Sequence, residues 1–198
     1  MNPKNLKLIL IVGGFILMVI ILSKVIISGK AKVDNDLEAT KNVTKAGWEQ
    51  RWIGETGISL YAPDGMKEIQ TTLDNNVKQV LEDYNAYEYK VGSFQMKLNH
   101  VVAKTRIDPV EYADRLAEMF EESGEYKGYS HKKIEVQEGG AFGIFMKGSG
   151  MYQGVDMVIN SVILVKDNDL WEITVILNSS SHELKILMEN IFSSPIIK

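Results

Sequence analysis

The chain has 198 residues, 22 Lys and Arg against 26 Asp and Glu, a net charge of −4 and no cysteine. The first 47 residues hold seven lysines and three acids, a balance of +4, and the remainder carries −8. So acidic a domain argues against nucleic acid as a partner, because neutralising phosphates needs a basic face; the lack of thiols excludes disulfides, thiolate nucleophiles, cysteine zinc sites and an acylated lipoprotein N-terminus.

The first predicted element is an uncharged apolar run from Leu8 to Leu22, with Lys4 and Lys7 before it and Lys24 after it. Its 15 residues cover about 22 Å as a helix, against a hydrocarbon core of about 30 Å. Extension to Ile27 closes the gap if Lys24 snorkels to the headgroups. The expectation is a single-pass signal anchor over 8–27, carried by Leu8, Ile11, Phe15, Met18, Leu22 and Lys24, with the bilayer as its partner. Residues 1–7 would stay in the cytoplasm and the large domain would lie outside it. Two other readings stay open: a signal peptide cleaved at the small-x-small site Gly29-Lys30-Ala31, and a buried core helix, disfavoured by a run that is apolar on every side and uncapped.

Residues 28–47 read as a solvated linker, with Asp34-Asn35-Asp36 and Lys41-Asn42 and no sustained periodicity. A short helix over 36–44 is the alternative. The folded domain is expected over 48–198. Gln50–Ile53 and Ile58–Ala62 read as strands, the second ended by the turn Pro63-Asp64-Gly65. Leu73, Val77, Val80, Leu81 and Tyr84 follow helical spacing, which predicts a helix over Leu73–Asp83. Tyr87–Val91 and Phe94–Asn99 alternate, and with Val101-Val102 they form a long strand or a hairpin broken near Gly92-Ser93.

Asp108-Pro109 supplies an N-cap acceptor and a proline at the first helical position. The helix it starts has Val110, Ala113, Leu116, Ala117 and Phe120 as its inner stripe, with Gly124 as its stop. Four strands follow, at His131–Val136, Ala141–Lys147, Val155–Val165 and Leu170–Leu177. Their predicted connections are Gly139-Gly140, the glycine-rich Gly148–Gly154 and Asp167-Asn168-Asp169. Such hairpin-linked strands make an antiparallel sheet. A last helix begins at the capping box Ser180-x-x-Glu183 and carries Leu184, Leu187, Met188, Ile191 and Phe192.

The fold class is therefore α+β, an antiparallel sheet flanked by helices. The order resembles the PsbP/Mog1/DcrB-like superfamily. The resemblance rests on the opening Ile58-Ser59-Leu60-Tyr61-Ala62-Pro63-Asp64-Gly65-Met66, on the Asp108-Pro109 helix, on Gly139-Gly140 before a strand, and on the closing helix. It spans about 48–194. It implies an α/β/α sandwich and mainly non-enzymatic roles in assembly, binding and envelope physiology; it offers no catalytic residue to carry over.

No constellation names a reaction. His100, His131 and His182 lack metal-ligand spacing, and Asp167-Asn168-Asp169 lacks the glycine and distal glutamate of a calcium loop. Ser161 has no nucleophile elbow around it and reads as a core hydroxyl. The Glu-rich face of the Asp108 helix is either a solvated face or a surface for a basic partner. Within Gly148–Gly154, Met151 and Tyr152 form a candidate contact loop. No cofactor, metal or nucleic acid is expected. The expected function is a membrane-anchored, extracytoplasmic binding or scaffolding domain whose partner is another envelope protein. The alternatives are a hydrolase with an unrecognised site and a secreted small-molecule binder.

Overall fold

The computed structural model describes residues 33–198 except 72 and 74. The expected anchor lies outside the described residues. Among the described residues, no helix is long and apolar enough to cross a membrane. The elements are α1 (Val33–Thr44), β1 (Glu49–Trp52), β2 (Ile58–Ala62), β3 (Lys67–Glu68), α2 (Asn75–Val80), β4 (Leu81–Val91), β5 (Phe94–Ala103), α3 (Pro109–Glu122), β6 (Lys127–Glu138), β7 (Ala141–Tyr152), β8 (Val155–Lys166), β9 (Asp169–Asn178), α4 (His182–Phe192) and β10 (Ile196–Ile197).

Among the described residues the strands form two antiparallel sheets. The larger runs β3-β4-β5-β9-β8-β7-β6, and the smaller runs β1-β2-β10. Two-residue turns join β4 to β5, β6 to β7, β7 to β8 and β8 to β9. This is why the sheet order follows the hairpins, with β5 crossing to pair with β9.

Strand alternation splits the core between the two faces of the large sheet. One face carries Val101, Ile144, Met146, Ile159 and Ile163 under Leu116, Ala117 and Phe120 of α3 and Val77 of α2. The other carries Met96, Leu98, Val162, Trp171, Ile173 and Val175. Packed against it are Ile58 and Leu60 of the small sheet, Leu184 and Ile191 of α4, and Val43 of α1.

Several expectations are corrected. The helix predicted over Leu73–Asp83 is helical only over Asn75–Val80. From Leu81 the chain is extended, and it pairs with β5 from Leu81↔Ala103 to Val91↔Phe94. A long ladder satisfies more backbone groups than one further helical turn, and Val80 and Leu81 reach the same core either way. Within 28–47, Val33–Thr44 is helical. Its last turn belongs to the domain: Val43 is fully buried, and its carbonyl accepts the Trp48 indole N–H at 2.6 Å.

The cap of α4 is Ser181, whose hydroxyl accepts from Leu184 N–H, one residue later than the box at Ser180. Ser180 N–H donates instead to the Asn178 side chain at 2.9 Å. In α3, Val110 is 40% exposed while Tyr112 is buried. Tyr112 takes the core position of the first turn because its hydroxyl has a partner inside the sheet. The short β10 was not predicted; it closes the small sheet beside β2.

Candidate functional site

α3 forms where the sequence places it. Asp108 caps the helix by accepting from Val110 N–H at 2.8 Å, and Pro109 occupies the first helical position. Burying Tyr112, Leu116 and Phe120 turns Glu111, Asp114, Arg115, Glu118 and Glu121 away from the sheet. Along this face runs an open groove of about 410 Å³, lined by those residues with Ala117 and by His131 of β6.

The charges in the groove are partly balanced. Lys133 of β6 pairs with Asp114, and Arg115 with Glu118 at 2.7 Å. His131 Nδ1 stands 3.9 Å from Glu121, with its ring stacked on Tyr129. Among the described residues Glu111 has no ion pair. Exposed pairs of this kind contribute only about 0–1 kcal/mol each, so a cationic side chain entering the groove can exchange with them at little cost. Among the described residues no group of three His, Asp or Glu is placed to hold a metal ion.

Beneath α3 lies a polar network that the sequence reading missed. Glu172 of β9 is 2% exposed in the middle of the sheet. It accepts from Tyr112 hydroxyl at 2.7 Å, Asn99 amide at 3.3 Å and Thr174 hydroxyl at 3.0 Å. Tyr84 donates to Asn99, and Ser161 shares a hydrogen bond with Thr174 at 2.7 Å. Burial, and next the charge of Glu172, pushes the Tyr112 phenol well above its ordinary range. The same two causes act on Tyr84. Both phenols therefore stay protonated donors. Ser161 is a buried hydroxyl within this network, 1% exposed. The available signal is the pair Glu172 and Thr174 on one face of β9, polar residues in a strand otherwise apolar from Leu170 to Leu177.

The other singled-out residues are scattered. His100 stacks on Trp171 and its Nε2 lies 2.8 Å from Asp169. His182 opens α4 and is exposed. Asp167 and Asn168 form the β8–β9 turn, with Asp169 already in the strand.

The expected glycine-rich loop is not a loop. Gly148 to Tyr152 is the end of β7, paired with β8 down to Tyr152↔Val155. A side chain at Gly148 would meet Ile159 carbonyl at 2.6 Å and the Tyr129 ring at 2.9 Å. These glycines let the chain pass close to tyrosines rather than bend. Met151 is 41% exposed on that strand. Tyr152 is half-buried against Tyr126, 5.9 Å between ring centres. Leu8, Ile11, Phe15, Met18, Leu22 and Lys24 lie outside the described residues.

The seven-stranded antiparallel sheet, with α3 on one face and α4 beside a small sheet on the other, is a PsbP/Mog1/DcrB-like fold. The chain is similar in structure to CyanoP, the cyanobacterial PsbP of Synechocystis. The TM-score is 0.54 over 86% of this chain and 99% of that one, at 9% identity. That identity makes the likeness one of fold alone. LpqN of Mycobacterium tuberculosis, a protein involved in cell envelope biogenesis, matches at TM-score 0.43 and 14% identity over 71% of this chain and 83% of its own. No family model matches the sequence, and no curated protein matches it.

Proposed function

We propose that the chain is a membrane-anchored domain of non-enzymatic type that binds or scaffolds another envelope protein outside the cytoplasm. The α3–β6 groove is its docking surface for a basic segment of that partner. The observation that carries this reading is the groove itself: Glu111, Glu118 and Glu121 line one exposed concave surface, supported by a capped helix packed on the sheet. The apolar run from Leu8 to Leu22 with its flanking lysines supports the anchor. The PsbP-like fold agrees with a binding role by analogy of fold.

The test is site-specific photocrosslinking in intact cells. A probe at Glu118 is expected to join the chain to a second protein, and charge reversal by Glu111→Lys with Glu121→Lys is expected to abolish the adduct. A probe at Ile186, on the exposed side of α4, is the control. Absence of an adduct, together with turnover of a model ester by the purified chain, overturns the reading in favour of a hydrolase. A released form starting near Lys32 overturns the anchor.

A further inference from the structure

The two edges of the large sheet differ. β3 is two residues long. β6 spans 12 residues, and among the described residues no strand pairs with its outer side. A long open edge is a template for another strand unless it is bent, covered, interrupted or guarded by charge; the charges on β6 at Lys132, Lys133, Glu135 and Glu138 bar a partner strand whose charges do not match them. Here the only register shift falls between Lys127 and Ser130, and the strand is regular from there to Glu138.

The hairpin fixes which backbone groups point outward. Gly139 and Gly140 have φ of 56° and 80° and are closed by the pair Glu138↔Ala141. In a two-residue hairpin the closing pair exchanges both of its hydrogen bonds. Alternation then directs Glu138, Val136, Ile134 and Lys132 inward to β7. It leaves the N–H and C=O of Gln137, Glu135, Lys133 and His131 facing out. On the side-chain level, Lys133 and His131 lie on the α3 side, beside Asp114 and Glu121. Ile134 lies on the other side, across from Phe145 and 46% exposed.

We propose that β6 pairs antiparallel with β6 of a second copy of this chain, about a two-fold axis at Ile134. A two-fold axis normal to the sheet keeps each face continuous, so a residue can oppose only a residue of its own face. An axis at Lys133 would set two lysines opposite each other, and an axis at Glu135 two glutamates, which is repulsive. The axis at Ile134 sets Ile134 on Ile134 and places Lys133 of each copy opposite Glu135 of the other. His131 then meets Gln137, and both of these outer pairs carry hydrogen bonds. The Ile134 pair is of the non-hydrogen-bonded kind, in which side chains approach most closely. The charge order of the strand, basic Lys132-Lys133 before Ile134 and acidic Glu135 and Glu138 after it, is complementary to an antiparallel copy and not to a parallel one. The pairing goes beyond the groove reading and stands without it.

The absence of cysteine gives a clean background for the test, made on the full chain in detergent micelles. At Ile134→Cys the two Cα atoms would lie about 4.5 Å apart, within the disulfide range of roughly 4.4–6.8 Å. Mild oxidation is expected to yield a covalent dimer. At Lys132→Cys the two thiols belong to positions four residues out of register, about 13 Å apart, and no dimer is expected. In sedimentation, Lys133→Glu or Glu135→Lys alone is expected to weaken self-association about tenfold, and the two together to restore it. Equal yields at positions 132 and 134, no dimer at Ile134→Cys, or failure of the double variant to restore association overturns the proposal. Ile134 is exposed enough that its replacement leaves the fold intact, which thermal unfolding of each variant verifies.

Discussion

Glu172 joins three elements on the helix-covered face of the sheet. Its carboxylate gathers donors from β5, β9 and α3, and the bond from Tyr112 joins residues 60 apart in sequence. Tyr112→Phe keeps the ring and removes only the hydroxyl, leaving a buried acceptor one donor short. The expected cost is about 1–3 kcal/mol, read in urea unfolding as a lower midpoint with unchanged slope. A variant as stable as the parent would mean that the bond contributes nothing net. The sequence marks Ser161 as a core hydroxyl and places Glu172 and Thr174, two apart in a strand, on one face. It does not show that these belong to one network, because nothing local states which helix will cross that face.

At the scale of elements, signals that act within a few residues were legible and signals that compete were not. The start of α3 is local chemistry: an acceptor side chain and a proline at the first turn. Asp108→Ala removes the acceptor for Val110 N–H and is expected to cost about 0.5–2 kcal/mol, seen as a lower thermal midpoint with the fold retained. No change in the midpoint would show that water replaces the cap fully. The strands β6 to β9 were found by alternation, though each extends further than predicted. The α2 region shows the limit: Leu73, Val77, Val80 and Leu81 have helical spacing, yet Leu81 onward is drawn into the ladder with β5. Gly148 and Gly150 were read as a flexible loop because a glycine needed for close passage of a tyrosine looks the same in sequence as one needed for a turn. The groove was legible only in part: the acidic face of α3 is periodic, whereas His131 on its opposite wall is supplied by a strand that sequence periodicity cannot place beside it.

The described residues are held by two cores on opposite faces of one sheet, and Tyr84, Tyr112, Tyr126 and Tyr129 report on the one under α3. Burial raises the phenol pKa values of Tyr84, Tyr112 and Tyr126, and lifts Tyr129 from 10.0 to about 12. Each folded value lies above the unfolded one, so the neutral phenol is favoured by folding. The stability linked to it is fully present below pH 10 and is lost as pH rises through 12. Alkaline titration is expected to show the half-buried Tyr87 and Tyr152 ionising before Tyr112 and Tyr126. The buried ones should ionise together with loss of the far-ultraviolet circular dichroism signal. Full ionisation near pH 10 with the fold intact would contradict the packing of α3 on the sheet.

The sequence by itself determined the α+β class, the hairpin series, the cap of α3, the acidic character of the domain and the apolar N-terminal run. All of these depend on neighbours within a turn or a strand pair, or on composition. Tertiary structure decided the rest: the early end of α2, the docking of α1 through Val43, the closure of the small sheet by β10, and the burial of Glu172. These depend on pairings between segments far apart in the chain, where the free energy of covering a face or completing a ladder outweighs local preference.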